Sequence, residues 1–269
     1  MDTASSIINN EFGVYTGAEI DFLGEVLKLN TTIRADKNEN FDLNFSPAAS
    51  IVYKPNKNDV LRLSFGSAIR NPTLSDQYLY YNVGRAILIG NLSGHGTKYG
   101  ENLVTIESLY EYFTPSVPVY DSLNFFSVDP IRPEKAKSIE LGYRSTFSNK
   151  VYLDANIYFS EYTDFIGYKI GAKFQADTSN GGFSIALPSI QAYRMAANAE
   201  NKVTTKGASI GVNYYPNGDI SLTGNYSWNS LNEKGTNDPI IPAYNTPEHK
   251  FNLGCLITVS YTHLRAHET

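Results

Sequence analysis

Along much of the chain, apolar and polar residues alternate one for one. In "NKVYLDANIYFSEYTDF" (149–165), Val151, Leu153, Ala155, Ile157 and Phe159 are apolar. Tyr152, Asp154, Asn156, Tyr158 and Ser160 between them are polar or amphipathic. Successive side chains of a strand point to opposite faces, so the pattern predicts a strand with one oily and one wet face. The same period places Leu27, Leu29, Thr31, Ile33 and Ala35 of "VLKLNTTIRAD" opposite Lys28, Asn30, Thr32, Arg34 and Asp36. It places Leu61, Leu63, Phe65 and Ile69 of "DVLRLSFGSAIR" opposite Arg62, Ser64, Gly66 and Arg70. In "DISLTGNYSWNS" it sets Ile220, Leu222, Tyr226 and Trp228 against Ser221, Thr223, Asn225, Ser227 and Asn229. Shorter runs near 12–20, 43–54, 137–147, 203–214 and 249–258 bring the prediction to nine strands. No segment of helical period competes with them.

The links between these strands alternate in length. Tight ones lie near 21–24, at "PNKN" (55–58), at "SN" (148–149) and at "PNGD" (216–219), where Pro, Asn, Gly and Asp supply turn geometry. Longer ones span about 37–42, 71–136, 169–192 and 231–248. A meander with its short turns at one end and its long loops at the other produces this order.

The oily faces must meet either a protein core or lipid. Four features favour lipid. The strands run to about 10–12 residues, where soluble sheets have a mode of about 5–6 and a tilted membrane strand requires about 9–11. The oily faces of the four clearest strands carry no charge, as lipid demands when a Lys or Arg costs roughly 2–4 kcal/mol at mid-membrane. The opposite faces are rich in Asn, Ser, Gly and Arg. Tyr158, Phe159, Tyr162, Phe165 and Trp228 cluster toward strand ends, where aromatic girdles sit. The fold class predicted is therefore all-β, an antiparallel up-and-down transmembrane barrel.

Composition narrows the chemistry. A net charge of −5 over 269 residues gives no reason to expect nucleic acid. The single cysteine, Cys255, rules out an internal disulfide and a cysteine-based metal site. No apolar run reaches the roughly 18 residues of a membrane helix. The opening "MDTASSIINN" has neither a basic nor an apolar leader region.

Four segments carry a family resemblance. "LRLSFGSAIRNPTLSDQYLY" (61–80) resembles the strand, Ala-x-Arg-x-Pro-Thr step and outer loop of TonB-dependent outer-membrane receptors. "DPIRPEKAKSIELGYR" (129–144) is similar to the Pro-Glu-Lys segment by which those receptors re-enter the barrel. "AANAENKVTTKGASIGVNYY" (196–215) resembles their Gly-centred strand, and "DPIIPAYNTPEHKFNLG" (238–254) a loop-to-strand return. The flavour is that of Bacteroidetes members. The resemblance implies a barrel of about 22 strands around a plug. It implies uptake of siderophore, cobalamin or glycan ligands across the bacterial outer membrane, driven by TonB.

Nine strands are fewer than half such a barrel, and neither plug, TonB box nor signal peptide is visible. Residues 1–259 are thus expected to be a partial barrel domain. The pattern breaks at "SYTHLRAHET" (260–269), which is read as a non-native tail. The expected partners are the receptor's own plug, TonB through the missing N-terminal part, membrane lipid and a small-molecule or oligosaccharide ligand.

Candidate residues divide into three groups. Tyr78, Tyr80, Tyr81, Tyr110, Tyr112 and Phe113 in the loop 71–136 are candidates for ligand binding, since rings stack on sugars and siderophores at low entropic cost. Packing of that loop against its neighbours explains them equally well. The family motifs assign structural roles to Arg70, Pro72, Pro133, Glu134, Lys135, Glu140, Gly142 and Tyr143, with Arg70 fixing the loop base. Arg34, Arg62, Arg70 and Arg144 face the lumen by parity.

Other motifs are better read as structural. His263 and His267 have metal-pair spacing but lie in the tail. Asp36, Asn38 and Asn40 of "DKNEN" lack the Gly and distant Glu of a calcium loop. The "GHG" at 94–96 has no strand–helix unit to make it a phosphate cradle. No catalytic constellation is visible, so an enzyme is not expected, nor a cofactor or metal. The rival readings are a plugless porin-like channel and a soluble or surface-attached β-rich carbohydrate-binding protein.

Overall fold

The computed structural model describes residues 6–114, 120–177, 183–232 and 246–258. Four long strands come first: β1 (Glu11–Phe22), β2 (Leu27–Asn38), β3 (Phe41–Tyr53) and β4 (Asp59–Arg70). An excursion then carries helix α1 (Leu74–Tyr78), short strands β5 (Tyr80–Asn82), β6 (Ala86–Ile89), β7 (His95–Gly96) and β8 (Leu103–Val104), helix α2 (Ile106–Phe113) and β9 (Ser127–Val128). Two long strands follow, β10 (Glu134–Phe147) and β11 (Val151–Thr163). A second excursion holds β12 (Ile166–Lys173), β13 (Ala176–Asp177), β14 (Ser184–Ile185) and β15 (Gln191–Asn198). The chain closes on β16 (Val203–Tyr214), β17 (Ile220–Asn232) and β18 (His249–Ile257).

The nine long strands form one sheet in the order β1-β2-β3-β4-β10-β11-β16-β17-β18, with every described pairing antiparallel. They are the nine that the alternation predicts. One cross-strand row runs Ile20, Leu29, Ile51, Leu63, Leu141, Ile157, Ala208, Trp228, His249. The row beside it on the opposite face runs Glu19, Asn30, Ser50, Ser64, Glu140, Tyr158, Gly207, Asn229. Register therefore keeps each face largely of one character across the sheet, with His249 at the end of the apolar row and Lys206 beside Phe159 and Trp228 as exceptions.

The apolar face is uncovered. Phe65, Ile139, Phe159 and Ile210 are exposed, and Leu253 is 85% exposed. A second sheet packed against it, as a soluble sandwich requires, is not present among the described residues. The buried apolar residues lie elsewhere. All but Phe41 and Val203 belong to the two excursions, and those two open their strands at the same end of the sheet. The excursions fold together into a cap. Its five-stranded sheet has the order β5-β6-β15-β12-β8, with β6 and β15 parallel. Ile87, Ile89, Leu103, Val128 and Met195 form one cluster beneath it, and Val104, Leu109, Tyr112, Leu123, Ala172 and Phe174 form another.

Three expectations change. The link near 37–42 is not long. β2 and β3 continue to a tight turn at Glu39 and Asn40, whose backbone bonds to Asn10 and to the Asn38 side chain. The stretches 71–136 and 169–192 are not simple loops, because pairing between them builds the cap. Helices are present there, and each has a physical cause: Thr73 and Asp76 close a capping box on α1, and the Thr105 hydroxyl caps α2. In the link 231–248, residues 233–245 lie outside the described residues, as does the 260–269 tail with His263 and His267.

The turns at the other end behave as read. Ser148 and Asn149 both take positive φ, the geometry of a two-residue hairpin turn.

Candidate functional site

The wet face carries a ladder of ion pairs. Arg62 Nη2 lies 2.5 Å from Glu140 Oε1, and Lys28 Nζ lies 2.5 Å from Glu19 Oε1. Arg34 pairs with Asp36 at 2.7 Å. Gly142 faces Arg62 in the register and leaves space above itself for the guanidinium. Each pair satisfies its charges without apolar cover, which suits a water-filled or plug-filled space and not a core.

At the cap end of this face lies a cavity of about 540 Å³. Glu11, Arg34, Asp36, Arg70 and Asn71 line it. Arg70 donates to Glu134 at 2.6 Å, and the same carboxylate accepts the backbone N–H of Ile166 at 3.0 Å. Glu134 is 7% exposed. One buried acid thus joins the last residue of β4, the first of β10 and the first of β12.

The other motif residues run from the cap to the short-turn end of β10. Pro72 supplies a carbonyl to the buried Gln77 amide. Pro133 precedes β10, and the Tyr143 hydroxyl donates to Asp59 at 2.8 Å. Lys135 projects on the apolar-face side, beside Ile69 and Thr163. Arg144 is on the wet face, as parity requires.

The loop aromatics are not gathered into one site. Tyr80 and Tyr81 lie on β5, at one edge of the cap sheet; Tyr110, Tyr112 and Phe113 lie on α2, which follows β8 at the opposite edge. Tyr80 and Tyr110 are 71% and 75% exposed, whereas Tyr112 is 2% exposed and packs edge-on against Phe113 and Phe183. The Tyr78 hydroxyl accepts from Asn40 at 2.7 Å and ties the cap to the β2–β3 turn. Tyr80, Tyr81 and Tyr110 are therefore the most exposed of the six rings, Tyr78 and Phe113 are exposed to a lesser degree, and Tyr112 is part of the cap core.

Further polar chemistry of the cap was not legible in the sequence. The Arg194 guanidinium lies 3.8 Å over the Tyr168 ring, at a cavity of about 200 Å³ shared with Ser75 and Asp76. Asp129 accepts from Lys98 at 2.7 Å and from the Tyr99 hydroxyl at 2.9 Å, and these bonds hold its carboxyl below the usual range. Burial pushes Glu101 up, but bonds from Lys173 at 2.6 Å and from the Gly96 N–H at 2.9 Å outweigh it and leave the carboxyl lowered. In "GHG", Gly94 takes φ 87° and a Cβ there would overlap the Tyr99 ring, so the glycine serves packing. The "DKNEN" segment is the β2–β3 turn, with Asp36 engaged by Arg34. Among the described residues there is no acidic or histidine cluster able to hold a metal.

Comparison with known proteins agrees with this geometry. The family described as TonB dependent receptor-like, beta-barrel, matches residues 2–266, and the chain belongs to that family. It is thus a wall segment of a receptor barrel in the outer membrane of Gram-negative bacteria, and its apolar face meets lipid. Among solved structures, it is similar to the copper transporter OprC, with 15% identity and a TM-score of 0.56 over 94% of this chain and 33% of that one. It is also similar to the siderophore receptor PirA from Acinetobacter baumannii, with 15% identity and a TM-score of 0.55 over 86% and 29%. A third is the alcaligin receptor FauA from Bordetella pertussis, with 14% identity and a TM-score of 0.51 over 94% and 35%. At these identities the likeness is one of fold, and the chain spans about a third of the length of these proteins. No curated protein matches it.

Proposed function

We propose that this chain is part of a TonB-dependent uptake receptor whose lumen holds a plug against the ion-paired wall. The ligand would be of siderophore, cobalamin or glycan type, bound from outside at the cap and released inward when TonB acts on the plug. The observation that carries the proposal is the pairing of an uncovered apolar face with a charge-laddered one beneath a folded cap. A plug could exchange hydrogen bonds with Arg34, Arg62 and Arg70 at little desolvation cost, because these arginines remain partly wet. Tyr80, Tyr81 and Tyr110 are the most exposed of the candidate rings and the best placed to meet a ligand.

The test is uptake of labelled siderophores, cobalamin and glycans by cells carrying the intact receptor, with and without TonB. Accumulation that requires TonB and a protonmotive force supports the proposal. Passive accumulation indifferent to TonB contradicts it and favours a porin-like channel.

A further inference from the structure

The sheet splits near its cap end. The β3–β4 ladder runs from Tyr53↔Leu61 only as far as Ala48↔Gly66. Beyond that point β3 continues to Phe41 paired with β2 alone, and β4 continues to Arg70 paired with β10 alone. Pro47, which has no N–H to donate, is the first β3 residue past the split. Contacts from Asn40 to Gln77 and Tyr78 close the gap at its top. The result is a slit in the wall, with the 540 Å³ cavity on its wet side and another of about 610 Å³ on its lipid side. The two share Ser67 and Ile69.

The lipid-side cavity is amphipathic. Phe45, Pro47, Phe65 and Ile69 line its apolar part. Lys135, Lys137 and Lys202 line the rest, with Glu161 as the one acid. Glu161 is engaged by Lys202 at 2.9 Å, and among the described residues Lys135 and Lys137 make no ion pair. The boundary between the two parts is sharp. The row Phe65, Ile139, Phe159 is wholly apolar, and the next row toward the cap is Ser67, Lys137, Glu161. The lysines therefore stand where lipid headgroups meet the barrel, directly above exposed rings.

We infer that this slit is a binding site for a phosphorylated lipid of the outer leaflet, its phosphate on Lys135, Lys137 and Lys202 and one acyl chain against Phe45, Phe65 and Ile69. Charge complementarity selects the headgroup. Three ammonium groups against one carboxylate leave a surplus that a phosphate monoester of charge about −1.5 to −2 matches. The apolar slit selects a lipid over free phosphate, since unpaired β3 and β4 edges leave room that water-exposed barrel wall would not. A lipid seated there would also cover the only gap described between neighbouring strands of the wall below the cap.

The test uses the intact receptor containing this chain, purified in detergent, titrated with lipid A, phosphatase-treated lipid A and inorganic phosphate. Lipid A is expected to bind, and both other probes to bind far more weakly. The double substitution Lys135→Glu, Lys137→Glu is expected to weaken lipid A binding about 30-fold, and Lys→Arg at both positions to preserve it. Equal binding of phosphatase-treated lipid A, or no loss in the Glu variant, would overturn the inference; so would inorganic phosphate binding as well as the lipid. Should the Glu variant not fold, lipid A with a photoactivatable acyl chain decides the matter on the unaltered receptor. Crosslinks concentrated on Phe45, Phe65 and Ile69 support the site, and crosslinks spread evenly over the lipid face contradict it.

Discussion

Glu134 is the residue on which the join between wall and cap turns. Its carboxylate is nearly buried, is met by Arg70 from β4, and accepts the first amide of β12. A hydrogen bond to a buried charge is worth about 1.5–3 kcal/mol, and removing the charge leaves the Arg70 guanidinium with a weaker acceptor. Glu134→Gln is therefore expected to raise hydrogen exchange at the Ile166 amide by about tenfold or more while the barrel stays assembled. Unchanged exchange would mean that apolar packing alone holds the cap. Glu101 sets the pH response of the same region. Its folded carboxyl sits below the ordinary range despite burial, so the stabilisation is present above the unfolded value of about 4.3 and is lost as pH falls through the folded value. Protease nicking of the cap is expected to rise below about pH 4, and Glu101→Gln to blunt that rise. Arg70 and Glu134 could be read in the sequence because a motif carried them. Glu101, Lys173 and Asp129 could not, since their partners lie 72 and 31 residues away in loops with no periodic pattern.

At the scale of elements, the long strands were legible and the cap was not, for one physical reason. A strand with lipid on one side and water on the other must alternate along its whole length, so each one announces itself locally. The cap strands are two to eight residues long and gain their stability from partners in the other excursion, as β6 does from β15. Helix α2, "IESLYEYF", is rich in β-favouring residues and is held by its Thr105 cap and by packing of Leu109 and Tyr112. Tertiary context decided it, which propensity cannot see. The turn at Glu39 and Asn40 was missed because its strands continue as polar residues above the membrane band. Close packing also shapes the long strands. Gly207 lies beneath the Tyr158 ring, whose hydroxyl donates to Asn229 at 2.7 Å, and a Cβ at 207 would reach the Trp228 carbonyl oxygen at 2.5 Å. Gly207→Val is expected to cost about 1–3 kcal/mol and to lower the unfolding midpoint of the intact barrel, read by heat-modifiable gel mobility. A midpoint equal to that of the parent would show that β16 and β17 separate easily.

For the whole molecule, the decisive property is that one sheet faces two solvents. Along β11 the apolar band runs unbroken from Val151 to Phe159, roughly 27 Å of strand and about 20 Å of membrane normal at a tilt of about 40°. Above it the lysines begin, and beyond them the only apolar core of the described residues. The sheet ends at β1 and β18, and among the described residues neither outer edge is paired. Open edges are intolerable in lipid. The 269-residue chain expressed alone is therefore expected to aggregate, and a monodisperse, protease-resistant, membrane-inserted product by size exclusion would contradict that.

The measurement that tests the account most directly is accessibility of paired single cysteines in the intact receptor, with Cys255 replaced by Ser. Leu153→Cys and Leu222→Cys lie on the apolar face; Asp154→Cys and Thr223→Cys are their neighbours on the wet one. Fluorophores at 153 and 222 should be quenched by brominated lipid and shielded from aqueous reagents, and those at 154 and 223 should show the reverse. Residues 153 and 222 buried from both lipid and water would mean that the oily faces meet protein, and the barrel would have to be abandoned.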